Sequence, residues 1–257
     1  MLAVSTDVRF ARRLSAGIAY QLNVQPSQVG SVADMGNAQS DVRISGKGQS
    51  GEGLRNKRSL RRLWIEGATE WLREIAELRE LEMLVISGTS SSDLAPISQL
   101  VSLRRLLVRE ATQLASLEFV STLGGLQVLS VTNSSKVRDL EPVGHLTRLT
   151  AFAIEISAAG ADRGMDVAVD TLKPLAALSA LEYLYLVSLK VADESLEPLV
   201  GLKSLKVLEC GAFFPKDQFK KLKTANPQLI CQWLDVIDTP LYGKLYQGRS
   251  RKASRRH

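Results

Sequence analysis

Leucine or phenylalanine returns at every third position in four segments of this chain, each opening with a polar residue, leucine, any residue, proline and an aliphatic residue. The four segments are DLAPISQLVSLRRLLV at residues 93–108, DLEPVGHLTRLTAFAI at 139–154, TLKPLAALSALEYLYL at 171–186 and SLEPLVGLKSLKVLEC at 195–210. The last residue of each leucine run marks one repeat, and the markers are Leu63, Leu84, Leu106, Leu129, Phe152, Leu184 and Leu208. They are 21, 22, 23, 23, 32 and 24 residues apart. A period this regular predicts a stacked array of structural repeats.

Each repeat divides into a strand and a turn. Side chains alternate along a strand, so Leu84 and Ile86 are predicted to enter the core while Val85 faces outward. The Asp, Thr or Ser that heads each proline-containing segment is a good helix N-cap, and a proline in the first turn loses no needed hydrogen bond. These segments therefore predict short helical turns on the other side of the sheet. Proline and marker are always 10 residues apart, whereas strand and next proline are 12 to 22 apart, so the excess at residues 157–170 predicts a loop.

The pattern beginning at Leu81, Leu-x-x-Leu-x-Ile-x-x-Thr, and its copies resemble the leucine-rich repeat, and the 22-residue step is similar to the bacterial, internalin-like type. The resemblance covers roughly residues 41–233. It implies an α/β leucine-rich repeat solenoid, with a curved parallel sheet on the concave face and short helices or 3-10 turns on the convex face. The asparagine that follows the strand in this family is replaced here by Ala68, Thr89, Ala111, Ser134, Ser157, Leu189 and Phe213. An asparagine ladder is therefore absent.

The chain is predicted to contain about nine parallel strands, marked by Val42, Leu63, Leu84, Leu106, Leu129, Phe152, Leu184, Leu208 and Leu229. Residues 1–40 form the N-terminal helix and a cap or leader, residues 41–233 the repeat domain, residues 234–248 a C-terminal cap, and residues 249–257 a disordered basic tail. Within residues 5–23 one amphipathic helix is predicted, with Ala11, Leu14, Ile18 and Leu22 on one face. It either caps the open end of the array or belongs to a loosely ordered leader.

Composition and charge narrow the class of protein. The 257 residues carry a formal net charge of +6, and six basic residues without an acidic one lie in residues 244–257, so residues 1–243 are formally neutral. No apolar run approaches the eighteen or so residues of a membrane span, and the N-terminus lacks the apolar stretch of a signal peptide, so we expect a cytoplasmic protein. Cys210 and Cys231 are 21 residues apart in equivalent phase. They predict paired, reduced core thiols on neighbouring strands.

Catalysis finds little support in the sequence. Gly46 to Gly51 match Gly-x-Gly-x-x-Gly, but a dinucleotide site needs a long helix after the glycines, and only 21 residues separate the strand markers Val42 and Leu63. A repeat loop is the favoured interpretation. His145 has no phased nucleophile or carboxylate beside it. We therefore predict no enzyme, no cofactor and no metal site.

The outward strand positions carry the functional prediction. An unused face is expected to be polar, yet large apolar and arginine side chains recur here, and an exposed apolar patch usually marks an interface. The predicted partner-binding residues are Trp64, Met83, Val85, Arg105, Leu107, Arg109, Tyr183 and Tyr185. The favoured function is a monomeric, non-catalytic scaffold that binds another protein, as an adaptor, a regulator or an immunity-type inhibitor. The alternative is nucleic-acid or anionic-membrane binding led by the basic tail.

Overall fold

The computed structural model describes residues 26–45, 50–67, 69–88, 92–155, 168–240 and 242–243. Nine parallel strands form one open sheet in the order β1-β2-β3-β4-β5-β6-β7-β9-β11. The strands are β1 Ser27–Val29, β2 Asp41–Ser45, β3 Arg62–Glu66, β4 Met83–Ser87, β5 Arg105–Arg109, β6 Val128–Thr132, β7 Ala151–Glu155, β9 Tyr183–Val187 and β11 Val207–Cys210. Two further strands, β8 Ala168–Val169 and β10 Lys190–Val191, pair in parallel as a separate small sheet. The predicted solenoid architecture is confirmed.

The repeat markers lie in one row across the sheet. Leu63, Leu84, Leu106, Leu129, Phe152, Leu184 and Leu208 are register partners from each strand to the next. All seven are fully buried. Because side chains alternate along each strand, the residue two positions on, such as Ile86 or Val108, enters the same core. The hydrophobic core therefore lies between the sheet and the helical turns.

Short helical turns on the convex side follow the proline-containing segments, as predicted. Four of them lie at Ala95–Gln99, Glu141–Gly144, Lys173–Ala177 and Glu197–Leu199, and the second is α-helical. The heading residue lies one position before the helix N-cap, so its side-chain oxygen accepts a hydrogen bond from the amide two residues on. The donor-acceptor distances are 2.7 Å at Asp93, 2.8 Å at Asp139, and 3.2 Å at Thr171 and Ser195.

The remaining helices cover the two ends and the first repeats. We number the α-helices α1 Leu72–Ala76, α2 Glu141–Gly144 and α3 Lys216–Ala225. Additional 3-10 turns lie at Leu54–Asn56, Thr69–Trp71 and Glu118–Val120. Beyond α3, the hydroxyl of Tyr242 donates a hydrogen bond to the carbonyl oxygen of Phe214, and the Phe219 ring packs edge-on against both aromatic rings. This aromatic cluster closes the C-terminal end of the core.

Two strand predictions were wrong at the ends of the sheet. The sheet begins at β1, earlier than the predicted first strand at Asp41, because Ser27–Val29 pairs with β2 although it contains a single apolar residue. At the other end, the strand predicted around Leu229 is reduced to one bridge between Val207 and Ile230. The indole nitrogen of Trp233 donates to the carbonyl oxygen of Cys210 at 2.7 Å, so this side chain takes the acceptor that a longer ladder would use. The predicted helix at residues 5–23, most of the loop at 157–170 and the basic tail lie outside the described residues.

The edge where the strands end is regular without an asparagine ladder. The residue directly after the strand has a positive φ in five repeats: Gly67, Gly88, Glu110, Asn133 and Ser188, at 65°, 68°, 56°, 59° and 58°. The family's asparagine position follows, and at Ala111 and Leu189 it holds fully buried apolar side chains. A left-handed residue bends the chain out of the sheet, and apolar packing replaces the side-chain amide. The same departure from strand geometry thus recurs in each of these repeats.

Candidate binding face

The concave face consists of the outward side chains of strands β2 to β11. All eight predicted partner-binding residues lie on it. Trp64, Val85 and Leu107 are register partners on β3, β4 and β5, so the predicted continuous stripe is present. The central row continues through Ser130, Ala153, Tyr185 and Glu209. Leu107 and Tyr185 are three strands apart, about 14 Å, so the eight residues form two groups.

The predicted exposure of the apolar members was wrong. Met83, Val85, Leu107 and Tyr185 are only 1%, 3%, 3% and 1% exposed. Met83, Val85 and Leu107 form a hydrophobic cluster of their own, separate from the main core, and the half-buried Trp64 packs against it. Alternation along a strand fixes the side of the sheet that a residue takes, but it does not determine which atoms lie above that side.

The exposed part of this face is cationic around β5 and charge-paired around β2 and β3. Arg105 and Arg109 flank Leu107 on the same strand, and both are exposed. Neither makes a hydrogen bond or an ion pair with any residue of the described chain. In contrast, Arg62 binds both carboxylate oxygens of Asp41, and this hydrogen bonding holds the pKa of Asp41 below its ordinary value. The guanidinium groups of β5 are thus the ones free to meet a ligand.

At the other group, a buried hydroxyl lies beside carboxylates. The Tyr185 hydroxyl is buried without a hydrogen-bond partner among the described residues. Burial raises the pKa of Tyr185, and the charge of Glu209 adds to this effect. Burial also raises the pKa of Glu209, to about 7, with the Glu155 charge as the second cause. Sequence reasoning placed Glu209 on this face without assigning it a role, since its partial burial cannot be read from strand phase.

A comparison with protein-family models gives the family. A model described as a leucine-rich repeat region matches residues 30–226. The chain belongs to the leucine-rich repeat family. A comparison with curated protein sequences finds no significant match.

Two solved leucine-rich repeat proteins are similar to this chain in structure. An internalin (inlF) of Listeria monocytogenes is 22% identical with a TM-score of 0.56, over 74% of this chain and 51% of that one. A leucine-rich repeat protein of Leptospira interrogans is 20% identical with a TM-score of 0.57, over 81% of this chain and 58% of that one. The chain thus spans little more than half the length of either. The likeness shows an internalin-like fold.

Chemistry on this leucine-rich repeat array is sparse. In the part of the chain that the structure describes, no group of three or more His, Cys, Asp or Glu residues could hold a metal ion. His145 is exposed at the C-terminal end of α2. Cys210 and Cys231 are buried free thiols, and burial raises the pKa of Cys210. Among the described helices, none has the length and hydropathy of a membrane span.

The glycine-rich motif also takes a structural role where it is described. Gly51 lies against the buried ring of Trp71, and a Cβ atom built at Gly51 would be 2.6 Å from the Trp71 Cγ atom. A 3-10 turn of three residues, Leu54–Asn56, follows in place of a long helix. Residues 46–49 lie outside the described part of the chain. The close approach of Trp71 accounts for the last glycine of the motif.

Glu209→Gln is expected to stabilise the protein above pH 7. Because the folded-state pKa of Glu209 is raised from 4.5 to about 7, the folded chain binds this proton more tightly, and the wild-type free energy of unfolding falls as the pH rises through that window. The full difference would be about 3.4 kcal/mol, and solvent screening of the half-exposed carboxylate reduces it to about 1–2 kcal/mol at pH 8. Urea unfolding of both proteins at pH 4.5 and pH 8 measures this. Glu141→Gln, at an exposed carboxylate on α2, is the control for loss of a charge; a similar gain there, or none in Glu209→Gln, would contradict the assignment.

Proposed function

We propose that this chain is a non-catalytic scaffold that binds a protein partner on its concave face. Leucine-rich repeat arrays generally serve as protein-protein interaction scaffolds, and their curvature provides an extended concave surface. The observation that carries the proposal is the pair Arg105 and Arg109, exposed on either side of the buried Leu107 and close to the half-buried Trp64. The role is that of an adaptor, a regulator or an immunity-type inhibitor, exerted as a monomer in the cytoplasm.

The composition of the exposed positions supports this proposal. Arginine, tryptophan and tyrosine are the residues that most often dominate binding energies at protein interfaces. Arg105 and Arg109 are held on a strand that is hydrogen-bonded on both sides, so their backbone is fixed before binding and little entropy is lost. Tyr183, half-buried on β9, lies three strands away from β5. A partner element that spans about 14 Å would contact both groups.

A partner with acidic groups fits the β5 region best. Two unpaired guanidinium groups at alternate positions of one strand form a fork that matches carboxylates. The apolar cluster between them offers a floor of low polarity, in which such hydrogen bonds are stronger than in water. Residues Glu155 and Glu209 give the far group the opposite charge. A partner that crosses the face would thus meet positive charge at β5 and negative charge at β7 and β11.

Affinity capture from native lysate tests this proposal. We expect the Arg105→Glu/Arg109→Glu variant to lose the partner that the wild-type chain retains, because both reversed charges repel the acidic groups of the partner. The matched control is Lys173→Glu/Arg148→Glu, which makes the same change in net charge at exposed positions on the helical side. Recovery of the same partner with all three proteins would contradict binding on the concave face.

A further inference from the structure

A continuous band of buried side chains runs across the concave face. Its members lie at the first and central outward positions of β4 to β11. They are Met83 at 1%, Val85 and Leu107 at 3%, Ala151 at 4%, Ala153 at 8%, Tyr185 at 1% and Val207 at 7% exposed. The last outward positions, among them Arg109, Thr132 and Glu155, are open or half-buried. The burial therefore follows a track perpendicular to the strands.

Strand neighbours cannot account for burial this complete. A side chain on one face of a sheet is screened sideways by the two flanking strands, which are about 4.8 Å away, but it stays open from above. Tyr185 shows this best, because one of its row neighbours, Ala153, offers a single methyl group. At the other end, Trp64 is the described side chain that packs against the cluster of Met83, Val85 and Leu107. Excluding solvent from the whole band requires a covering segment.

The N-terminal residues have the length and the position to supply this cover. They lead directly into β1, the first strand of the sheet. A helix of 19 residues, as predicted for residues 5–23, is about 28 Å long. The six steps from β3 to β11 span about 29 Å. A helix that starts beside the first strands would thus reach across the entire band.

The N-terminal segment also has the matching apolar surface. Ala11, Leu14, Ile18 and Leu22 follow one another at helical spacing on one face. Arg9 and Arg13 lie on the opposite face, where a docked helix would keep them in water. The C-terminal residues 244–257 carry six basic side chains and only two large apolar ones, Leu245 and Tyr246. The basic tail cannot form a comparable stripe.

We propose that residues 5–23 form an amphipathic helix that lies across the concave face over this buried band, and that a protein partner binds there after displacing it. The displacement rests on the proposed function, whereas the cover itself does not. In this arrangement the helix occupies the site intramolecularly, and the partner's apparent affinity is reduced by the fraction of chains in which the face is covered. The exposed guanidinium groups at the edge of the band remain available for a first encounter.

Alkylation of a thiol at Ser130→Cys in the full chain tests the cover. Ser130 lies in the central row between Leu107 and Ala153, and the two natural cysteines are buried. We expect Leu14→Glu/Ile18→Glu to raise the rate of labelling by iodoacetamide about tenfold or more, since a face that is covered most of the time reacts only in its open fraction. Ala16→Glu/Tyr20→Glu is the matched control, because it adds the same charges at the same spacing on the opposite face of the helix.

The outcomes separate the possible covers. Equal labelling rates in the test and control variants, with cooperative thermal unfolding in each, would overturn the proposal. A wild-type rate that rises on dilution would overturn it as well, since the cover would then be a second copy of the chain. The milder Leu14→Ala/Ile18→Ala variant provides the same readout if two charges unfold the array. No partner enters this measurement, so its failure leaves the proposed function standing, and loss of partner capture leaves the cover standing.

Discussion

Leu106→Ala is expected to lower the free energy of unfolding by about 2–5 kcal/mol. Leu106 is fully buried and lies in register between Leu84 and Leu129, so truncation opens a cavity between three stacked repeats. Each repeat of a solenoid is stabilised by its neighbours, so the loss weakens two interfaces at once. Denaturant unfolding followed by circular dichroism measures the change.

Val101→Ala is the matched control for this cavity. Val101 is 60% exposed in the turn before the same strand, so we expect a change within about 0.5 kcal/mol. The sequence alone predicted that Leu107→Ala would serve this purpose, because its side chain faces outward. Leu107 is 3% exposed, so we now expect its truncation to destabilise the protein as well. Equal, small effects at Leu106 and Val101 would contradict the packing of the repeats.

Gly51→Ala is expected to cost about 1–3 kcal/mol. A Cβ atom at this position would lie 2.6 to 2.9 Å from three atoms of the Trp71 ring. That ring is 1% exposed, so it cannot move away without disturbing the first repeats. Thermal unfolding of the variant, compared with wild type, measures the strain.

Gly124→Ala is the control for replacing a glycine. No atom lies within 4 Å of a Cβ atom there, so we expect a neutral or slightly stabilising change. Wild-type stability in Gly51→Ala would show that Trp71 does not require the glycine. The resemblance of residues 46–51 to a dinucleotide-binding motif would then need another structural explanation.

The sequence predicted the repeat core because its period and its strand alternation are both local properties. The markers from Leu63 to Leu208 share one register, and side-chain oxygens such as that of Asp93 begin the convex turns. The ends were harder to predict. β1 has too few apolar residues to show a period, and the shortening of the last strand depends on Trp233, a contact over 23 residues.

The binding face was predicted in position but not in exposure. Strand phase placed Val85, Leu107 and Tyr185 on the concave side, and register brought the first two together. Their burial depends on atoms above the sheet, which no local pattern encodes. The raised pKa of Glu209 has the same origin, since burial is its largest cause. In contrast, the charge pairing of Arg62 with Asp41 follows from their direct register partnership.

The affinity of the captured partner for concave-face variants tests the central claim most directly. Isothermal titration calorimetry of wild type, Trp64→Ala, Arg105→Ala and the convex control Lys173→Ala gives four dissociation constants under one condition. We predict that each concave substitution weakens binding by more than about 1 kcal/mol, that Lys173→Ala does not, and that all four proteins unfold at similar temperatures. Wild-type affinity in both concave variants would contradict the assignment of the concave face as the partner-binding surface.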